Sequence, residues 1–297
     1  MIQDIAPSIM HNEFKNYELR DKDYLISFDS KGKILLGKEY AKEDSEEYTK
    51  VLFPTSSESN VDREKTVYLF SIDDKRFFLS LNEASASTQD SSGDSSSSAD
   101  SDSKILSYYT VREVRDQFTG KEVFAVFTAY HLWKWYSDNI YCGKCAEKIE
   151  IDKKERALRC PKCGNVIYPR INPAVIVGVT KGDSILITKY RTGYAHNALV
   201  AGFTEIGETL EETVAREVME ETGVKVKNIR YYKSQPWGMA QDMLVGFYCE
   251  ADGDGEIHMD ENELKYAEWV KREDIVLQPN NFSLTNEMMK QFKINNI

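Results

Sequence analysis

Residues 202–224, Gly-Phe-Thr-Glu-Ile-Gly-Glu-Thr-Leu-Glu-Glu-Thr-Val-Ala-Arg-Glu-Val-Met-Glu-Glu-Thr-Gly-Val, leave the chain few ways to fold. Thr209 followed three residues later by Glu212 is a capping-box start, and Gly223 supplies a stop, so the pattern predicts a loop feeding a helix over 210–222. Glu217, Glu220 and Glu221 crowd its C-terminal end. At ~100° per residue they fall within an arc of roughly 100°, with Ala215, Val218 and Met219 expected to face a core. The carboxylates repel one another at the Glu217/Glu221 spacing and sit at the negative end of the helix dipole. A solvated acidic face is one reading of such a run. The other is a cation, and hard Mg2+ or Mn2+ suits carboxylate oxygens while keeping positions open for water and phosphate. Arg216, four residues ahead of Glu220, is placed to pair with it.

The 297 residues, 41% of them apolar, can bury a sizeable core and predict two domains plus something small. No apolar run approaches ~18 residues and no signal peptide is indicated, so a cytoplasmic protein with no membrane partner is expected. A net charge of −11 argues against gripping nucleic acid by bulk electrostatics, although a local basic groove stays open.

Four of the five cysteines stand as Cys142-Gly-Lys-Cys145 and Cys160-Pro-Lys-Cys163 with 14 residues between the pairs, close to the spacing of a four-thiolate zinc ribbon. Two disulfides would need a secreted chain, and a redox Cys-x-x-Cys would not need two copies. Four protein thiolates leave no open position, so this Zn2+ is expected to be structural. Cys249 reads as a small buried hydrophobe. His11, His131, His196 and His258 form no ligand or nucleophile pattern.

Along the chain, residues 24–28, 34–36, 67–72 and 76–81 read as strands of a small antiparallel sheet. Residues 85–103 hold ten serines in nineteen positions, which predicts a disordered loop insertion over 84–104; a phosphoacceptor or partner tail is the sharper alternative. Phe124, Phe127, Tyr130, Trp133 and Trp135 fit a helix over 121–138 and are expected as core rather than as a base-stacking platform. Beyond the cysteines, 174–180 and 184–190 form a hairpin signal around Lys181-Gly182-Asp183, with further strands over 199–203, 226–233, 243–250 and 266–271 and a closing helix over 284–292. The domains expected are 1–140 (α+β, with the insertion), 141–168 (zinc ribbon) and 169–297 (catalytic).

Gly202, Glu208, Arg216-Glu217, Glu220-Glu221 and Gly223 stand at spacings that resemble the Nudix box without a mismatch. The resemblance implies an α/β fold, a three-layer α/β/α sandwich on a mixed sheet, that hydrolyses a linked diphosphate. It implies Glu217, Glu220 and Glu221 as ligands of catalytic Mg2+ or Mn2+, with Arg216 holding them. Ser234-Gln235-Pro236-Trp237, and Tyr168-Pro169-Arg170 directly after the ribbon, resemble the NADH pyrophosphatase branch, so the likeness covers roughly residues 105–297.

That branch implies hydrolysis of NAD(H) to nicotinamide mononucleotide and AMP, with NAD-capped RNA as a further substrate. Phe203 and Tyr168 match aromatic positions that sandwich a substrate ring, with a core position at the loop base as the alternative for Phe203; Ala201, Ser234 and Gln235 are expected at the substrate with them, and for Trp237 packing and substrate contact are both open. The matching tyrosine can come from a second subunit, which implies a homodimer, and Glu263 matches a further metal-binding glutamate. Water attack on one phosphorus is expected, with Glu220 or Glu221 as base through one water. Two departures stand out. The branch continues Pro-Phe-Pro-x-Ser where this chain has Gly238-Met239-Ala240-Gln241-Asp242, a looser loop with less to stack on, and Tyr266 replaces a second late glutamate for which Glu268 is the candidate substitute. A pyrophosphatase preferring ADP-ribose or another nucleoside diphosphate derivative is the rival reading, and a non-catalytic Nudix ligand sensor a more distant one.

Overall fold

A computed structural model describes residues 1–43, 46–59, 61–82, 106–193 and 196–297; the serine-rich insertion expected over 84–104 lies outside the described residues. The chain divides into two compact units, Ile5–Pro169 and Arg170–Ile297, the latter joined by Met1–Asp4. Those first four residues, assigned by the sequence to the N-terminal domain, are tied to the second unit: Ile2 N–H donates to Phe282 O at 3.0 Å and Gln3 Nε2 to Ser234 O at 3.1 Å.

In the first unit β1 (Met10–His11), β2 (Tyr24–Ile26), β3 (Ile34–Glu43), β4 (Glu46–Leu52), β5 (Thr66–Ile72), β6 (Lys75–Ser80) and β7 (Ser107–Tyr109) precede α1 (Val111–Gln117) and α2 (Lys121–Asp138). They make two sheets, β1-β5-β6-β2 and β4-β3-β7, rather than the one antiparallel sheet expected, and β2 pairs with β6 in parallel. The hairpin at Asp73-Asp74 forms as predicted, with Asp73 at φ 53°. Helix α2 has the predicted bounds and is buried nearly all round, with Val123, Phe127, Leu132 and Trp135 all inside and Trp133 stacked on Phe28 at 4.8 Å. Of the expected aromatics Phe127 and Trp135 are core, and Phe124, Tyr130 and Trp133 are partly buried. Three short strands, β8 (Glu150–Ile151), β9 (Leu158–Arg159) and β10 (Val166–Ile167), form an antiparallel ribbon around the cysteine pairs.

The second unit is a mixed sheet between two helices, as expected. Strands β11 (Asn172–Lys181), β12 (Ser184–Tyr190), β13 (Val200–Phe203), β14 (Val226–Trp237), β15 (Asp242–Ala251) and β16 (Leu264–Lys271) are joined by α3 (Leu210–Thr222) and α4 (Leu284–Lys293). The order is β14-β15-β11-β12-β16, with β13 on the edge of β11 that it shares with β12; β11 and β15 run parallel at the centre. These two strands read as near-continuous apolar runs because both of their faces are covered. Val175, Val177, Val245 and Phe247 point to the face that buries Val214 and Val218 of α3. Ile176, Tyr248 and Ile187 point to the other, against Leu284, Met288 and Phe292 of α4. Among the described residues no helix is long and apolar enough to cross a membrane.

One core position works against the fold. Asp242, at the head of β15, is only 5% exposed, and burial holds its carboxyl up at about 6 against an ordinary 3.8, offset in part by the Asn172 amide. Because the folded-state value lies above the unfolded one, the stability this group contributes is complete below about pH 4 and is lost as pH rises through about 6, a cost on the order of 3 kcal/mol at neutral pH. Asp242→Asn is therefore expected to raise the melting temperature by several degrees at pH 8 and by less at pH 5; equal gains at the two pH values in paired melting curves would contradict this.

Candidate active site and metal centre

The helix that carries the acidic cluster begins and ends as predicted. Thr209 Oγ1 accepts from Glu212 N–H at 3.2 Å while the Glu212 carboxylate accepts from Thr209 N–H at 2.7 Å, and Gly223 closes the helix at φ 69°, a left-handed conformation that glycine adopts without cost. The expected core face is corrected. Ala215 and Met219 are exposed, and the buried positions are Thr213, Val214, Val218, Glu221 and Thr222. The wheel gave the right angles, but β11 and β13 cover an arc rotated toward Glu221.

Arg216 organises the site. The sequence pairs it with Glu220, and that contact exists at 3.0 Å, but the bidentate partner is Glu208: Arg216 Nε donates to Glu208 Oε1 at 2.5 Å and Nη2 to Oε2 at 2.9 Å. Nη1 also reaches Glu217 Oε1 at 2.8 Å and Nη2 the carbonyl of Phe203 at 2.9 Å. One guanidinium thus ties the helix to the loop that leads into it. Glu208 also accepts from Glu205 N–H at 3.0 Å and from Thr213 Oγ1 at 2.9 Å. Pairing with Arg216 holds the Glu208 carboxyl down at about 2. Its place in the box pointed to Glu208; its role as the main partner of Arg216 was missed.

Glu217 lies against β13. A Cβ built on Gly202 would meet the Glu217 carboxyl carbon at 1.9 Å, so only glycine admits that side chain. Burial raises the pKa of Glu217 and lifts Glu221, 2% exposed, to about 8. Tyr190 Oη donates to Glu221 Oε1 at 3.0 Å and accepts from Ala201 N–H at 3.1 Å. Glu263, exposed just before β16, acts electrostatically on both Glu217 and Glu221. The three carboxylates thus lie within electrostatic reach of one another, although their oxygens are not drawn together as the four cysteine sulfurs are. Their donor set of carboxylate oxygens at different depths, with the room Gly202 leaves, fits a hard divalent ion. Glu268 does not join them: it pairs with Ile187 and shares the α4 face, opposite α3, and Tyr266 directs its hydroxyl to Asn197.

Strand alternation divides the expected substrate residues. Phe203 (53% exposed), Ala174, Leu244 and Gln235 form one row across β13, β11, β15 and β14, and Asn172, Asp242 and Trp237 form the next, all on the α4 face. Ala201 is on the same face, partly buried against that core. Ser234 points the opposite way. Gln235 is a correction: it is fully buried, its amide donates to Gln3 Oε1 at 3.0 Å and Phe282 O at 2.7 Å, and its Oε1 accepts from Leu284 N–H at 2.7 Å. It pins α4 and the chain start, and it has no donor left for a ligand. Tyr168 belongs to the first unit, where it is 57% exposed and its hydroxyl donates to Glu155 at 3.0 Å.

In the ribbon the four cysteine sulfurs lie within 4.8 Å of one another, the one such set of three or more His, Cys, Asp or Glu donors among the described residues. Cys142 and Cys163 are 3.6 Å apart, Cys145 and Cys160 3.5 Å, close to the ~3.8 Å edge of a tetrahedron with ~2.3 Å zinc–sulfur bonds. The two knuckles repeat one geometry: Cys142 N–H donates to Glu147 O and Cys160 N–H to Asn165 O, both at 2.8 Å, with positive φ at Ala146 and Gly164. The amide of Lys144 lowers the Cys142 thiol to about 6, and that of Cys163 lowers Cys160. Cys249 is buried in the α3-side core, as expected.

The fold, the box and the four thiolates define a class. Residues 170–292 match the NUDIX domain and residues 137–168 the NADH pyrophosphatase zinc ribbon domain, so the chain carries a Nudix domain behind that ribbon. Among curated proteins it is similar to the NAD-capped RNA hydrolase NudC of Escherichia coli O1:K1 / APEC and of Escherichia coli strain SMS-3-5, each 44% identical over 151 residues, 50% of this chain and 58% of the relative. The match thus spans little more than half the length of those relatives. Among solved structures, a NUDIX hydrolase from Nitrosomonas europaea is 21% identical with a TM-score of 0.46, covering 52% of this chain and 90% of that one.

Two outcomes follow from this geometry. Cys160→Ser is expected to remove about one equivalent of zinc per chain, read by elemental analysis, and to lower the melting temperature; a variant that keeps its zinc and its melting point would contradict a closed structural site. Gly202→Ala is expected to lower hydrolysis at least ~10-fold by displacing Glu217, with little change in melting, because the clash falls on a side chain and not on backbone. Activity retained in that variant would mean that the Glu217 position is not needed.

Proposed function

We propose that this protein hydrolyses the diphosphate of NAD(H) to nicotinamide mononucleotide and AMP, and acts on NAD-capped RNA. The observation that carries the reading is Glu217 packed against Gly202 and acted on electrostatically by Glu220 and Glu263, with the buried Glu221 acted on by Glu217 and Glu263, in residues that match the NUDIX domain and follow a match to the NADH pyrophosphatase zinc ribbon. The named activity of the E. coli relatives supports it.

Those four glutamates would hold catalytic Mg2+ or Mn2+, which supplies charge neutralisation at the diphosphate and a more acidic water. Arg216 keeps Glu217 and Glu220 oriented while leaving each a second oxygen, Oε2 and Oε1 respectively, for a cation. The ring of Phe203, exposed beside Ala201, offers a face on which a nicotinamide or adenine ring can stack, with Trp237 further along the same side of the sheet. Tyr168 supplies a second ring in a homodimer, a role that rests on the family resemblance, as does a cytoplasmic location. A second reading, ADP-ribose as the better substrate, is favoured by the turn at residues 238–241, which offers neither aromatic nor proline beside Trp237.

Incubation with NADH, NAD+, ADP-ribose and NAD-capped RNA under Mg2+ or Mn2+, with chromatographic identification of products, tests the proposal. Mononucleotide and AMP from NADH are expected, and Glu221→Gln is expected to reduce the rate by about 10²–10⁴. Turnover of ADP-ribose alone would sink the NAD(H) reading.

A further inference from the structure

The carboxylate that Arg216 does not touch is held by a different group. Glu221 is the most buried of the three box glutamates, and the partners of Arg216 are Glu208, Glu217, Glu220 and the Phe203 carbonyl. The phenol of Tyr190 reaches Glu221 from the end of β12, with Oη 3.0 Å from Oε1 and 3.3 Å from Oε2. The same oxygen accepts from Ala201 N–H at 3.1 Å. Ala201 stands next to Gly202, the residue whose missing side chain admits Glu217.

A β-bulge aims the ring. The pairing of β12 with β16 shifts register between Lys189 and Tyr190, so the partner of Tyr190 is Leu264 where regular spacing from Lys189↔Tyr266 would give Lys265. Bulges of this kind re-aim a side chain at a strand end. The phenol Oη ends up between the Glu221 carboxylate and the backbone of Ala201. Oη accepts from the Ala201 amide, and its own proton has the Glu221 carboxylate at 3.0 Å as its nearer acceptor and the Ala201 carbonyl at 3.4 Å as the farther one. The hydroxyl therefore locks one carboxylate orientation before any cation arrives.

We propose that Tyr190 is a positioning residue that orients Glu221 for divalent-cation binding. The assignment rests on the proposed role of Glu221 as a metal ligand. A carboxylate so deeply buried can turn about its last bond at little cost once its donor is gone, and a ligand that must be reoriented on binding holds its ion less tightly. The interaction is an outer-shell hydrogen bond, and Tyr190 itself touches neither substrate nor ion.

The test uses the full chain with its zinc loaded and Mn2+ alone as probe, followed by electron paramagnetic resonance of free Mn2+, with no substrate present. Tyr190→Phe keeps the ring and removes the donor. Its Mn2+ dissociation constant is expected to rise ~10-fold or more, as for other outer-shell partners of metal ligands. In a Glu221→Gln background the same change should add little, because the two residues act through one contact. Thr188→Val, two residues back on the same strand and on a buried hydroxyl with no protein hydrogen bond, should leave Mn2+ affinity within about twofold. It controls for disturbance of the strand, and melting curves confirm that each variant is folded.

A folded Tyr190→Phe protein with wild-type Mn2+ affinity overturns the assignment, as does a loss equally large in the Glu221→Gln background or in Thr188→Val. Should the wild-type protein bind no Mn2+, the metal-dependent reading of the whole site fails and takes this assignment with it. Wild-type Mn2+ binding with no effect of Tyr190→Phe would overturn the role of Tyr190 and leave the proposed hydrolase standing.

Discussion

One guanidinium makes the acidic helix tenable. Glu217, Glu220 and Glu221 stand at the negative end of the α3 dipole and repel one another, a local conflict that a foldable sequence has to resolve nearby. Arg216 resolves it for two of them and anchors Glu208 and the Phe203 carbonyl with its remaining donors. A lysine could not substitute, because a point charge has no planar fork to hold Glu208 bidentately while reaching Glu217 and Glu220. These bonds join the two ends of the loop over 203–208 to one side chain. The charge network is closed within the protein, yet it engages only one oxygen each of Glu217 and Glu220. A cation can join without displacing the arginine.

Strand β13 separates two kinds of chemistry by simple alternation. Gly202 faces α3 and leaves room for Glu217; Ala201 and Phe203 face the α4 side. Charge is gathered on one face of the strand and ring surface on the other, only a residue apart. The same alternation explains why a contiguous sequence run is not a contiguous site. Ser234 and Trp237 lie on opposite faces of β14, and Gln235 between them is enclosed by Gln3, Phe282 and Leu284.

What the sequence made legible was what local chemistry decides. The capping box at Thr209 and Glu212, the left-handed stop at Gly223, the two cysteine knuckles and the hairpin at Lys181-Gly182-Asp183 each involve residues close in the chain, and each formed as read. Long-range decisions were not legible. That Glu221 is inside and Met219 outside depends on which strands lie over α3, and helical periodicity alone fixes angles without fixing what covers them. Tyr190 carries no motif; its relation to Glu221, 31 residues away in sequence, exists because a bulge turns it toward β13. Gln3 is paired with Ser234 and Gln235 across 231 and 232 positions, beyond the reach of any pattern.

The thiolate cluster is tied to the N-terminal sheet through one arginine. Arg156, in the turn before β9, reaches out of the ribbon and donates from Nη2 to the carbonyls of Leu69 on β5, at 2.6 Å, and Asn12, at 3.0 Å. It is half-buried near Tyr136 and Tyr68, and desolvation lowers its pKa, although a guanidinium stays charged. A partly desolvated cation of this kind is costly unless its donors are met, and here backbone carbonyls meet them. The position of Arg156 depends on the ribbon, whose shape depends on the thiolate cluster, so the free energy of zinc binding is transmitted to the N-terminal sheet within the same unit. The carboxylate site has no such structural dependence. Arg216 and Tyr190 organise it from protein donors alone.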